Sequence, residues 1–78
     1  MAERVQLLGR DGCHLCDQAR TVVRDECARA GASWSEIDVD SDPDLQRQYG
    51  ELVPVVLVDG QQIGYWRIPA ADLRAALR

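Results

Sequence analysis

The side chains with chemistry to offer are thiols. The sequence holds three cysteines, Cys13, Cys16 and Cys27, and one histidine, His14, which sits between the first two. Cys13-His14-Leu15-Cys16 is a CxxC, a spacing that serves either as half of a metal site or as a dithiol that cycles with a disulfide. A structural zinc site uses four Cys/His ligands, and three of the residues of those types lie inside the one short segment. A disulfide-stapled secreted fold would use a larger, even set of cysteines. Redox chemistry is therefore the leading use of the pair, and no metal site is assigned.

A redox cysteine needs a particular position. At a helix N-terminus a sulfur meets unpaired backbone N–H groups and the positive end of the helix dipole, and both favour thiolate over thiol. The pattern places Cys13 there. Val5-Gln6-Leu7-Leu8 reads as a buried strand stopped by Gly9, and Gly9-Arg10-Asp11-Gly12 is a loop by composition. From His14 an amphipathic helix is predicted, with Leu15, Ala19, Val22, Val23, Cys27 and Ala30 on helical spacing and Gly31 as its C-cap. Cys13 is then the nucleophile, and Cys16, one turn deeper, resolves the mixed disulfide formed on it. His14 and Arg10 are candidate positive modulators of the thiolate, opposed by Asp11 and Asp17. Cys27 is read as core, because a free cysteine packs as a small apolar group. It lies roughly 21 Å along the helix from Cys13 at 1.5 Å per residue, too far for a bond between them.

The remaining elements follow. Ser33 to Val39 alternates in part and reads as a second strand; Asp38-Val39-Asp40-Ser41-Asp42-Pro43 gives a stop, a choice of N-caps and a Pro suited to a first helical turn, and a short helix follows to about Tyr49, ended by Gly50. Val53-Pro54-Val55-Val56-Leu57-Val58 reads as a third strand, with Asp59-Gly60 as a two-residue type I′ turn into a fourth, Gln61 to Tyr65 or Trp66. Pro69 opens a last helix, Ala70 to Leu77, with Leu73, Ala76 and Leu77 as its buried stripe. The order is β-α-β-α-β-β-α, an α/β domain whose first two strands are parallel through a right-handed crossover. Phenylalanine is absent, so the core is aliphatic. Trp34, Tyr49 and Trp66 are read as packing residues first and partner contacts second. Proline inside a sheet is confined to special positions, and one that opens a strand is a candidate for a cis bond. If Pro54 sits beside Cys13, the backbone of Val53 is free to pair with a bound peptide or glutathione as an added strand.

Seventy-eight residues make a single domain, 1–78, that is only marginally able to stabilise itself. A net charge of −4 argues against nucleic acid, which needs a basic face. The longest apolar run, Leu52 to Val58, is too short to span a bilayer, and the first residues lack the apolar stretch of a signal peptide. The expected setting is the cytoplasm, where thiols are held reduced.

The chain resembles a glutaredoxin, a branch of the thioredoxin superfamily. A CxxC opens the first helix with the basic Arg10 three residues earlier. Leu52-Val53-Pro54-Val55 through Asp59-Gly60 to Ile63-Gly64 runs without a gap alongside the glutaredoxin segment that carries Thr-Val-Pro, a hairpin turn and Ile-Gly-Gly. The Cys-x-Leu-Cys form and the Asp38-x-Asp40 stretch are similar to a bacterial glutaredoxin-like group. The resemblance implies a four-stranded mixed sheet in the order 2-1-3-4 with three helices, a cis Pro54 facing Cys13, and a substrate site at Val53, Pro54, Gly64 and Tyr65. It implies no bound cofactor, with glutathione as co-substrate. The family's Pro-Tyr between the cysteines is here His14-Leu15, its second glycine is Tyr65, and the acidic residue that follows is missing from Trp66-Arg67-Ile68. The function it implies is dithiol–disulfide exchange with protein or small disulfides in cell redox homeostasis. A reductase or small thiol would be the electron donor, and the chain would act as a monomer. The alternatives are an iron–sulfur or metal carrier using the CxxC thiolates, and a non-catalytic interaction module on the same fold.

Overall fold

The computed structural model describes residues 3–78. Strand β1 (Val5–Gly9) leads through a turn into helix α1 (His14–Ala30), and β2 (Trp34–Asp38) follows. A 3₁₀ turn (Val39–Ser41) joins β2 to helix α2 (Pro43–Tyr49), then β3 (Val55–Val58), β4 (Gln61–Tyr65) and helix α3 (Ala70–Ala76) complete the chain. The strands form one sheet in the order β2-β1-β3-β4. β1 runs parallel to β2 and antiparallel to β3, with Leu8 opposite both Ile37 and Val55. This is the mixed, thioredoxin-like sheet with three helices that the motif resemblance implies. No helix among the described residues is long and apolar enough to cross a membrane.

β1 is central and covered on both faces, which is why its sequence is apolar at every position but the half-buried Gln6 rather than a strict alternation. Val5 and Leu7 point toward α1 and α3, where Val23, Cys27, Val56 and Leu73 close the larger core. Leu8 points the other way and packs with Val39 and Val55 under Leu45 and Tyr49 of α2. The molecule thus has three layers, with α1 and α3 on one side of the sheet and α2 on the other. The core is aliphatic, and Cys27 belongs to it as a buried residue.

Local chemistry sets the boundaries. Gly31, at φ 68°, closes α1 in the left-handed conformation, and the N–H groups of Gly31 and Ala32 both bond the Cys27 carbonyl. Asp59 and Gly60 have φ of 52° and 84°, the paired positive values of a type I′ hairpin. α2 has Asp42 as its N-cap and Pro43 in its first turn.

Several expectations need correction. The third strand starts at Val55, not Val53, because Pro54 has no N–H to give the ladder. Val39 leaves the second strand to begin the 3₁₀ turn, where Asp38 caps the Asp40 N–H at 2.9 Å. The last helix ends at Ala76, with Leu77 as its cap. On α1, Ala30 is exposed and Leu15 half-buried, while Cys16 and the charged Glu26 are buried. Glu26 is tolerated there because Arg74 of α3 grips both its oxygens at 2.9 Å, tying the two helices together. Trp66 is not core: it is 51% exposed.

Candidate active site

The site is assembled where β1 stops. Gly12, at φ 74°, turns the chain so that Cys13 becomes the N-cap of α1, with its backbone still extended at φ −101° and ψ 112°. The Cys13 Sγ accepts a hydrogen bond from the Cys16 N–H at 3.1 Å, and the Cys13 carbonyl accepts the first helical bond from Asp17 N–H at 3.1 Å. The sulfur thus occupies the place usually taken by a serine or aspartate oxygen, satisfying one orphan donor of the helix. Cys13 is half-buried and Cys16 fully buried, and both are free thiols.

The two thiols are held in unlike environments. Cys16 lies against Gly9, where a β-carbon would come within 3.3 Å of its Sγ and 3.5 Å of its Cβ. Glycine at the end of β1 is what lets the first turn of α1 settle onto the sheet. Burial, followed by the hydrogen bond to Cys13, pushes the Cys16 thiol up to about 12. The Arg10 backbone N–H and the charge of Arg20 act in the opposite sense. Cys16 therefore keeps its proton at neutral pH, with Cys13 as the more accessible sulfur.

Across the sheet, the Val53–Pro54 peptide is cis. The register that pairs Leu8 with Val55, continued one step, brings Pro54 alongside Gly9, at the end of the sheet from which the CxxC loop departs. Among the described residues the backbone N–H and C=O of Val53 have no backbone partner. Val53 also lines a cavity of about 550 Å³ whose other walls are Leu15, Tyr65, Trp66 and Arg67. Leu15 belongs to the CxxC itself, so this cavity adjoins the motif, although neither sulfur lines it.

Not every residue singled out from the sequence arrives at the site. The Arg10 guanidinium is turned away from the thiols and held by both Asp40 oxygens, at 2.9 and 3.0 Å, and by the Gly50 carbonyl at 3.1 Å. It braces the CxxC loop against the α2 layer; its backbone N–H bonds Cys16, and its charge is felt there only as the weakest of its interactions. Asp40 in turn is held below the usual carboxylate range by that bond to Arg10. His14 is exposed on the first turn of α1, with no hydrogen-bond partner for its ring among the described residues. Gly64 does not line the cavity: a β-carbon there would meet Ile68 Cδ1 at 3.3 Å, so its smallness serves packing under β4. Tyr65 lines the cavity.

Trp66 and Gly9 are the residues that sequence reasoning missed. Trp66 has φ 63°, with its N–H bonded to the Pro54 carbonyl at 2.8 Å and to Leu52 O at 3.3 Å. Its indole N–H reaches the Glu51 carbonyl at 3.0 Å. The ring therefore clasps the Pro54 loop from outside. A tryptophan next to a predicted strand reads as core by composition, and nothing local signals a left-handed backbone there. Gly9 was legible only as a strand stop.

A CxxC at the N-terminus of the first helix, with a cis proline at the same end of a sheet of this order, defines a thioredoxin-fold protein. Comparison with known proteins narrows the class. Residues 4–78 match the glutaredoxin-like domain family (DUF836). A relative from Mycobacterium tuberculosis is 34% identical over 77 residues, spanning 92% of this chain and 79% of its own length. A solved protein from X. campestris superposes with a TM-score of 0.78 at 35% identity, covering 94% of this chain and 93% of that one. The glutaredoxin of Archaeoglobus fulgidus shares the fold at a TM-score of 0.67 and 16% identity, over 97% and 87% of the two chains. This chain belongs to the glutaredoxin-like domain family of the thioredoxin superfamily.

Proposed function

We propose that this protein is a dithiol–disulfide oxidoreductase in which Cys13 is the nucleophile and Cys16 the resolving thiol. The Cys13 thiolate attacks one sulfur of a substrate disulfide, forming a mixed disulfide and releasing the other sulfur as a thiolate that takes a proton from water. Cys16 then gives up its proton and attacks the Cys13 sulfur. The Cys13–Cys16 disulfide forms and the second substrate thiol leaves. Two electrons pass from the pair to the substrate, and a low-molecular-weight thiol or a disulfide reductase restores the pair. A reducing cytoplasm goes with this use of thiols.

The observation that carries the reading is the asymmetry of the pair. Cys13 is the helix N-cap, half-buried, with its Sγ held by a backbone donor at 3.1 Å, so it is the sulfur that a substrate disulfide can reach. Cys16 is buried and protonated one turn below, so the first attack is directed to Cys13, and the second becomes intramolecular only after the mixed disulfide exists. The unpaired backbone of Val53 supports peptide binding as an added strand.

The test is disulfide reduction with single serine variants. Cys13→Ser is expected to abolish reduction of insulin. Cys16→Ser is expected to retain the first attack and accumulate a mixed disulfide with substrate, visible as a mass adduct. Full activity in Cys13→Ser, or adduct formation on Cys16 in its place, would falsify the assignment.

A further inference from the structure

Building on the redox reading above, we propose that Tyr65 and Trp66 form an aromatic platform that selects an extended segment of a partner protein. That segment carries an apolar side chain next to its half-cystine and a carboxylate within reach of Arg67. Tyr65 and Trp66 are the large hydrophobic side chains left exposed among the described residues, at 46% and 51%. They are also adjacent, edge to face, with ring centroids 5.2 Å apart. Single exposed apolar residues are commonplace, but a paired patch in a cleft marks a contact surface.

The backbone argues that this exposure is built in. A bulky residue at φ 63° is a true outlier that persists only where its surroundings over-determine it. Here they do, because both N–H groups of Trp66 are fastened to the carbonyls that precede and include Pro54. Hydrogen bonds thus hold the ring out over the Leu15–Val53 cleft.

Shape and charge specify the occupant. The cavity of about 550 Å³ beside Val53 and a second of about 200 Å³ that reaches Pro69 share Leu15, Trp66 and Arg67. They adjoin at these residues along the first turns of α1, and Val53, with its unpaired backbone, lines only the larger. The lining is mostly apolar. Arg67 has no side-chain partner among the described residues, whereas Arg10 is already bound to Asp40 and Gly50. Glutathione carries two carboxylates and an ammonium group and would meet one free cation and two rings. A peptide with one apolar side chain and one carboxylate matches what is present.

The experiment compares kcat/KM for two short peptides, each in mixed disulfide with 2-mercaptoethanol. One has Phe and Glu flanking its cysteine, and the other Ser and Gln. The wild type is expected to favour the first roughly tenfold, as docking of one apolar side chain would give. Trp66→Gly, which accepts the positive φ, and Tyr65→Ala are each expected to bring that ratio within about threefold of unity. A wild-type ratio near one, or a ratio unchanged in both variants, overturns the proposal. A redox-inert form of the Phe/Glu peptide, with Ser for Cys, should shift the backbone amide signals of Val53 and of Tyr65 to Arg67 in the wild type. Unmoved signals overturn it without reliance on any variant. Bis(2-hydroxyethyl) disulfide separates the two readings: if the wild type reduces it yet ignores peptide sequence, only the platform fails. If the wild type cannot reduce it at all, the dithiol mechanism and the platform that depends on it fail together.

Discussion

A single missing methyl group at Gly9 sets how deeply Cys16 is buried. Gly9→Ala would place a carbon 3.3 Å from the Cys16 Sγ, so the Cys16 side chain must give way by a few tenths of an ångström. Overpacking of this kind costs about 1–3 kcal/mol, read as a lower urea midpoint. The same substitution should speed alkylation of Cys16 in a Cys13→Ser background, and an unchanged alkylation rate would show that Gly9 does not govern the burial. A pH dependence belongs to the same residue. Burial raises the Cys16 thiol from 9.0 to about 12, so between those values the unfolded chain has lost a proton that the reduced fold keeps. The unfolded state then binds fewer protons, and the stability of the reduced protein, fully present below 9.0, falls as pH rises through about 12. All nine basic residues are arginine, so no lysine titrates in that window. Urea unfolding under a reductant on both sides of 9.0 should show a steeper alkaline decline for the wild type than for Cys16→Ser. Parallel declines would mean that the thiol is not protected.

At the scale of elements, α1 carries the site, and its two ends are held by different means. Its C-terminus depends on Gly31 at φ 68°, where, among the described residues, no atom beyond the chain neighbours lies within 4 Å of an added β-carbon. The cost of Gly31→Ala is then backbone strain alone, about 1–2 kcal/mol, and thermal unfolding should show it without loss of redox activity. α1 is also tied to α3 by Glu26 and Arg74. The Arg74 hydrogen bond lowers the Glu26 carboxyl below its ordinary range, so this tie contributes above the unfolded value and is lost as pH falls through the folded one. Arg74→Ala should therefore lower the thermal midpoint at neutral pH, with the difference from wild type shrinking in acid. Glu26→Gln combined with Arg74→Met should recover part of the loss, because the uncompensated buried charge is gone.

For the whole molecule, the two faces of the sheet are unequally secured. The α1–α3 side holds the larger core, with Leu7, Val23, Val56 and Leu73 fully buried. α2 contributes no buried residue of its own and rests on Leu8, Val39 and Val55 through Leu45 and Tyr49. Local opening follows the density of buried contacts, so amides of α2 should exchange with solvent well before those of β1 and α1. Exchange of α2 at the global unfolding rate would show that the layers open as one. Arg10 crosses this divide, since it leaves the end of β1 and grips Asp40 and Gly50 on the α2 side. Opening of α2 therefore loosens the loop that carries Cys13.

The order of elements, the caps of α1 and α2, the type I′ turn and the place of the CxxC pair at the mouth of α1 were legible in the sequence, because each depends on neighbours within a turn or a strand. Hydrophobic period, glycine at a positive φ and the CxxC spacing are local signals that tertiary packing did not override. What the tertiary structure alone decided are the encounters between distant segments. Arg10 goes to Asp40 and not to the thiols because a carboxylate on the far layer offers two oxygens, and Glu26 is buried because Arg74 arrives from the last helix. Gly64 gives way to Ile68, and Trp66 is held outside the core by carbonyls that lie beyond its own hairpin. A one-dimensional pattern records which side chains are apolar or charged, but it does not record which partner reaches them first.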